Sequence, residues 1–251
     1  MSEILGRFPK RRPPLPAEFR EIYQRHYVAN RKAEYRTTSL SRRLESWMHR
    51  RVAADVPDGA WRPTLEIGAG TLNHLAWEGE NPAYDIVEPF RALYEDSPAL
   101  GRVRRVYGVM SDVPDSARYD RIISIATFEH IDTLPDIVAR AALLLADGGV
   151  LRAAVPNEGT ILWRLGTALT GAEFRLRYGL DYQILMRHEH VNTADEIEEV
   201  LRWFYGDVRV AVCGLSRRLA FYRFLECRVP DIGRARDIVT SGAATAPRSA
   251  A

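Results

Sequence analysis

The residues equipped for chemistry fall in two groups: acidic residues set around a glycine turn, and the histidines His130, His188 and His190. The run Thr64-Leu65-Glu66-Ile67-Gly68-Ala69-Gly70-Thr71-Leu72-Asn73 puts apolar residues around Glu66 and then two glycines. A buried strand is therefore expected to end in a turn where backbone approaches a ligand closely. Twenty residues beyond Gly68 stands Glu88, closing the run Tyr84-Asp85-Ile86-Val87. An acidic residue at the tip of a second strand is placed to accept hydrogen bonds from two ribose hydroxyls. The pair points to a nucleotide-like ligand in the crevice beyond the carboxyl ends of the strands. The histidines offer a neutral imidazole near pH 7, the fitting group to take a proton from a hydroxyl.

A dinucleotide fingerprint needs a third glycine, and here that position is Asn73. Glu66 would also repel a pyrophosphate, whereas a cationic ligand tolerates it. The pattern Glu66-Ile67-Gly68-Ala69-Gly70 followed by Glu88 resembles the first two motifs of class I S-adenosylmethionine (SAM) dependent methyltransferases. Phe128-Glu129-His130-Ile131 resembles the sequence after the fourth strand in quinone-pathway and related small-molecule members. Leu72 departs from the pattern, because many members have glycine there.

The resemblance implies SAM as cofactor. Glu66, Gly68, Ala69 and Gly70 would hold its methionine half, Glu88 the ribose and Asp112 the adenine end, with Phe128 and Glu129 lining the same site. It further implies methyl transfer to an oxygen or nitrogen of a metabolite, sugar or natural product, with His130, His190 and His188 ranked in that order as base. Two other readings stay open: a non-catalytic SAM-binding partner protein and an NAD(P)-dependent oxidoreductase. Asn73 and Glu66 oppose the second.

These residues need a framework. Strands are expected at 64–67, 84–87, 103–109, 119–125 and 150–155, with a helix at 134–145 carrying Pro135 in its first turn and Gly148-Gly149 beyond its end. Segments 208–214 and 219–228 read as a terminal hairpin. The fold expected is an α/β, Rossmann-like, doubly wound seven-stranded sheet with an antiparallel last strand, N-terminal helices and a lid insertion after strand five. By composition, 1–15 is a flexible basic and proline-rich arm, 16–60 a helical cap and 61–230 the cofactor domain. Within it, 160–192 forms an acceptor lid rich in aromatics and arginines, and 231–251 is a disordered tail.

At 251 residues the chain can bury a sizeable core, and a net charge of +2 gives no electrostatic reason to expect a nucleic-acid partner. No apolar run has the length of a membrane span, and the first residues lack a signal-peptide pattern. Cys213 and Cys227 build neither a disulfide framework nor a metal site, which suits a reducing cytoplasm. The His188-Glu189-His190 run carries no metal reading, since its side chains alternate in direction. Oligomeric state is not encoded in any of these features.

Overall fold

The computed structural model describes residues 3–19, 39–56, 61–160, 162–163, 171, 174–176 and 178–245. Apolar runs form β1 (Thr64–Ile67), β2 (Tyr84–Val87), β3 (Arg105–Tyr107), β4 (Tyr119–Ile125) and β5 (Leu145–Pro156). β6 (Tyr205–Ser216) and β7 (Leu219–Pro230) make the terminal hairpin. The sheet runs β3-β2-β1-β4-β5-β7-β6. β1 to β5 pair in parallel, and β7 is antiparallel to both β5 and β6. Winding reverses between β1 and β4, so the crevice opens at their carboxyl ends.

Helices cover both faces: α1 (Ser39–Ala53), the single turn α2 (Arg91–Tyr94), α3 (Leu134–Leu144), α4 (Tyr182–Glu189), α5 (Ala194–Phe204) and α6 (Ile232–Thr245). Every residue of β1 and β2 is buried, as strands covered on both faces require. One core joins Leu65 and Ile67 to α3 and α5, through Val138, Ile197 and Leu201 among others. The other joins Ile86, Ile123 and Ile125 to Met48 and Val52 of α1. α3 stops at Leu144 instead of 145 because the chain turns straight into β5. There the pairing slips, so that Tyr119 faces Leu145 while Arg121 faces Val150. A capping box opens α5, with the Thr193 hydroxyl accepting from the Glu196 N–H at 3.3 Å.

Both termini differ from expectation. Ile4 and Leu5 of the basic arm are buried in the first core, and Lys10 Nζ lies 2.5 Å from Glu196 Oε1. Burying two large apolar side chains contributes about 1.5 to 3 kcal/mol each, enough to hold a segment that composition marks as extended. The tail to residue 245 is α6. Ala235 is buried and Ile238 and Val239 pack on the first core, a helical stripe hidden among small and polar neighbours.

Tyr23, Tyr27 and Tyr35 of the expected cap lie outside the described residues, as do Arg164, Glu173 and Arg177 of the insertion. The described part of the insertion forms a satellite cluster with the N-terminal segment, in which Leu15 and Phe19 pack with Phe174 and Leu185. Among the described residues no helix is long and apolar enough to cross a membrane.

Candidate active site

The glycine turn is built on left-handed backbone: φ is +74° at Gly68, +53° at Gly70 and +64° at Leu72. A Cβ at Gly68 would fall 2.3 Å from the Thr127 side chain, so the turn lies directly against the exit of β4. Leu72 adopts the conformation that glycine ordinarily supplies, and its side chain is buried in the second core. Behind the turn comes a short 3-10 segment, Asn73–Ala76.

Glu88 braces this turn. Its Oε2 accepts from the Gly70 N–H at 2.8 Å and its Oε1 from the Phe90 N–H at 3.0 Å. Each oxygen keeps a further lone pair for a ligand hydroxyl.

Two hollows open at the carboxyl ends of the strands. The first, about 430 Å³, is lined by Gly68, Glu88, Val109, Met110, His188 and Arg12 among others. The second, about 450 Å³, is lined by Glu66, Ala69, Gly70, Glu129, His190 and Tyr222 among others. Gly68 and His130 line both.

Most of the residues singled out in the sequence converge here, and two do not. Asp112 is exposed and its Oδ2 accepts from the Val109 N–H at 3.0 Å, so it caps a turn instead of reaching either hollow. β3 leads into Gly108-Val109-Met110, and these residues line the first hollow in its place. Phe128 is fully buried in the first core. His188 lines the first hollow only, its Nδ1 2.8 Å from the Pro13 carbonyl.

The end of the insertion after β5 is stitched to the turn after β4. Val191 and Asn192 donate their N–H groups to the Glu129 carbonyl at 2.9 and 3.2 Å, and Asn192 Nδ2 donates to the carbonyls of Phe128 and Ile131. This pairing sets the His130 and His190 rings edge to face, 4.6 Å apart. His130 Nδ1 lies 2.9 Å from the Glu189 carbonyl, and His190 Nδ1 contacts Glu158 Oε1. Arg12 crosses this rim, bonding the carbonyls of His130, His188 and Glu189, with its Nε 3.1 Å from Asp132.

Glu66 is buried, and burial pushes its carboxyl up to about 8, although the Tyr84 hydroxyl donates to its Oε2 at 2.8 Å. A protonated carboxyl there gains a negative charge when a cation enters the hollow.

Sequence reasoning missed Glu45 and His49 of α1 and Tyr222, all on the second hollow, which Trp163 of the expected aromatic insertion also lines. The spacing of Glu45 and His49 by four residues on one helix face was the available signal. α1 is docked by arginines of the sheet: Arg121 and Arg152 both donate to the Val52 carbonyl, at 3.2 and 3.0 Å. Both also ion-pair with Asp55. His49 Nδ1 lies 3.0 Å from His74 Nδ1, and His74 Nε2 lies 2.9 Å from Glu78 Oε1. Arg121 grips the two oxygens of Glu78 at 2.9 and 3.0 Å. Burial alone would raise Glu78, but hydrogen bonds from His74 and Arg121 bring its carboxyl down to about 2. Burial lowers His74, outweighing the pull of Glu78. Among the described residues no cluster could hold a metal ion.

No protein-family model and no curated protein matches the chain. Solved structures do. A SAM-dependent methyltransferase, possible histamine N-methyltransferase, from Thermotoga maritima superposes with a TM-score of 0.56 at 15% identity, over 80% of this chain and 98% of its own. The N-methyltransferase NodS from Bradyrhizobium japonicum, solved with S-adenosylhomocysteine (SAH), gives 0.52 at 13%, over 78% and 90%. DhpI in its complex with SAM and HEP gives 0.52 at 14%, over 86% and 100%. This chain has the class I SAM-dependent methyltransferase fold. Within that methyltransferase fold, the order β3-β2-β1-β4-β5-β7-β6 puts the glycine turn and Glu88 on neighbouring strands, and His130 just past β4.

Proposed function

We propose that this protein transfers a methyl group from SAM to an oxygen or nitrogen of a small-molecule acceptor. The observation that carries the reading is the pair of hollows meeting at Gly68 and His130, one with the Glu88 carboxylate and the other ringed by carboxylates and imidazoles. The first suits an adenosine: Glu88 for the ribose, and Val109 and Met110 for an apolar base. Glu66, Gly68, Ala69 and Gly70 suit the methionine half. The structural neighbours named as N-methyltransferases lend support to a nitrogen acceptor.

When bound, SAM supplies an activated methyl group on a sulfonium, so the chain's task is alignment, exclusion of water and proton removal. Alignment alone is worth roughly 7 to 11 kcal/mol in ideal cases. His130, on both hollows, lies where methyl donor and acceptor would meet and orients the acceptor. The Arg12 strap and the insertion around α4 act as the lid over that point.

Thermal unfolding alone, with SAH and with NAD tests the reading. SAH at about a hundred times its dissociation constant adds roughly 2.7 kcal/mol and raises the midpoint by about 5 to 10 °C. The shift is expected with SAH and not with NAD, and to be much reduced in Glu88→Ala. A shift with NAD alone would remove the methyltransferase function.

A further inference from the structure

His49 offers the second hollow something its other histidines do not. The ring is 5% exposed, stacks on Trp77 with planes 4° apart, and is tied through Nδ1 to a buried relay. The relay fixes its protons. Glu78 is held charged by Arg121 and accepts only, so His74 Nε2 must carry the hydrogen of the 2.9 Å contact. Neutral His74 then has a bare Nδ1. Of the two Nδ1 atoms 3.0 Å apart, the one on His49 must donate. A neutral His49 is left with its lone pair on Nε2, 3.9 Å from Glu45 Oε1, and both residues line the second hollow.

We infer that His49 is the catalytic residue that takes the acceptor's proton, with His74 and Glu78 as positioning residues. The inference rests on the methyl-transfer reading. As the acceptor's lone pair forms its bond to the methyl carbon, the sulfur–carbon bond breaks and its electron pair stays on sulfur, leaving the neutral thioether SAH. The proton shed by the acceptor's oxygen or nitrogen passes to His49 Nε2. The imidazolium formed is supported by Glu45 and, through His74, by Glu78, and later gives its proton to solvent. His130, with Nδ1 3.6 Å from Glu189 Oε2 and Nε2 3.8 Å from Glu129 Oε1, and His190, on Glu158, are the rivals, and what sets His49 apart is the relay that fixes its tautomer. Titratable or charged groups around His49 are Glu45 and Arg50 of α1, His74, Glu78 and Glu66 beside β1, Glu129 and His130 after β4, Tyr222 of β7, and His190.

The test uses the full chain with 15N-labelled histidine. At pH 7.5, imidazole nitrogen spectra should show His49 with protonated Nδ1 and bare Nε2, assigned by their loss in His49→Gln, and His74 with the opposite tautomer. This arm needs no acceptor and no fold-sensitive variant beyond the assignment. SAH release from SAM is then followed with catechol and benzylamine as probes. His49→Gln should lower kcat by about a hundredfold with SAH affinity within about twofold. Glu78→Gln should move the acid limb of the kcat profile to lower pH. A protonated Nε2 on His49 overturns the proposal whether or not a probe turns over. So does a limb that follows His190→Gln and ignores Glu78→Gln. Absence of SAH binding in the wild type would instead remove the methyl-transfer reading while leaving the tautomer measurable.

Discussion

Glu66 shows how one buried side chain can tie stability to pH. Its native carboxyl lies near 8 against an ordinary 4.5, chiefly because it is buried. The native state therefore holds a proton that the unfolded chain releases. The stability this confers is complete below about pH 4.5 and lost as pH rises through about 8, with a slope approaching about 1.4 kcal/mol per pH unit. Glu66→Gln removes that dependence. It should melt close to wild type at pH 4.5 and higher than wild type at pH 8.5 by calorimetry, yet bind SAH more weakly. Gly68→Ala tests the turn from the other side: with φ at +74° and Thr127 at 2.3 Å, the added methyl must displace the β4 exit. Calorimetric titration should show SAH affinity falling at least tenfold, with a lower melting midpoint. Leu72 explains how a motif can depart from glycine and keep its shape, since a buried leucine side chain offsets backbone strain of about 1 to 3 kcal/mol.

At the scale of elements, local pattern and tertiary burial divide the chain. β1, β2, β4 and α3 were legible because each carries its own apolar run, cap or proline. The Asp112 expectation missed by the length of one turn. β3 ends at Tyr107, so the acid falls beyond the crevice, where it serves its own backbone. α6 was hidden for a different reason. Its stripe of Ala235, Ile238 and Val239 is short, and the faces of α3 and α5 make it worth forming. Ending the chain at residue 231 should cost about 2 to 4 kcal/mol and lower the melting midpoint by about 5 to 15 °C. Since no residue of α6 lines either hollow, SAH affinity of the folded protein should be unchanged by titration.

Across the whole molecule, the N-terminal segment fastens parts far apart in sequence. Ile4 and Leu5 enter the first core, Lys10 meets Glu196, and Arg12 ties the carbonyls of His130, His188 and Glu189. Removing residues 1–13 should lower the midpoint and speed SAH dissociation by about tenfold or more in stopped-flow displacement. Arg12→Ala should keep the midpoint nearer wild type and reproduce most of the faster release. An unchanged release rate would separate the strap from SAH binding.

The sequence by itself determined the first strand, the glycine turn and the second strand tip, because these are short-range features with fixed spacing. It also determined the alternation of strands and helices, since period and capping are written locally. What it could not determine is which distant side chains share a space. His49 and His74 meet through the docking of α1 on the sheet by Arg121 and Arg152, and His130 meets His190 through the stitching of residues 191–192 to the turn after β4. Those contacts depend on burial of groups many residues apart, and burial exists only once the chain is folded.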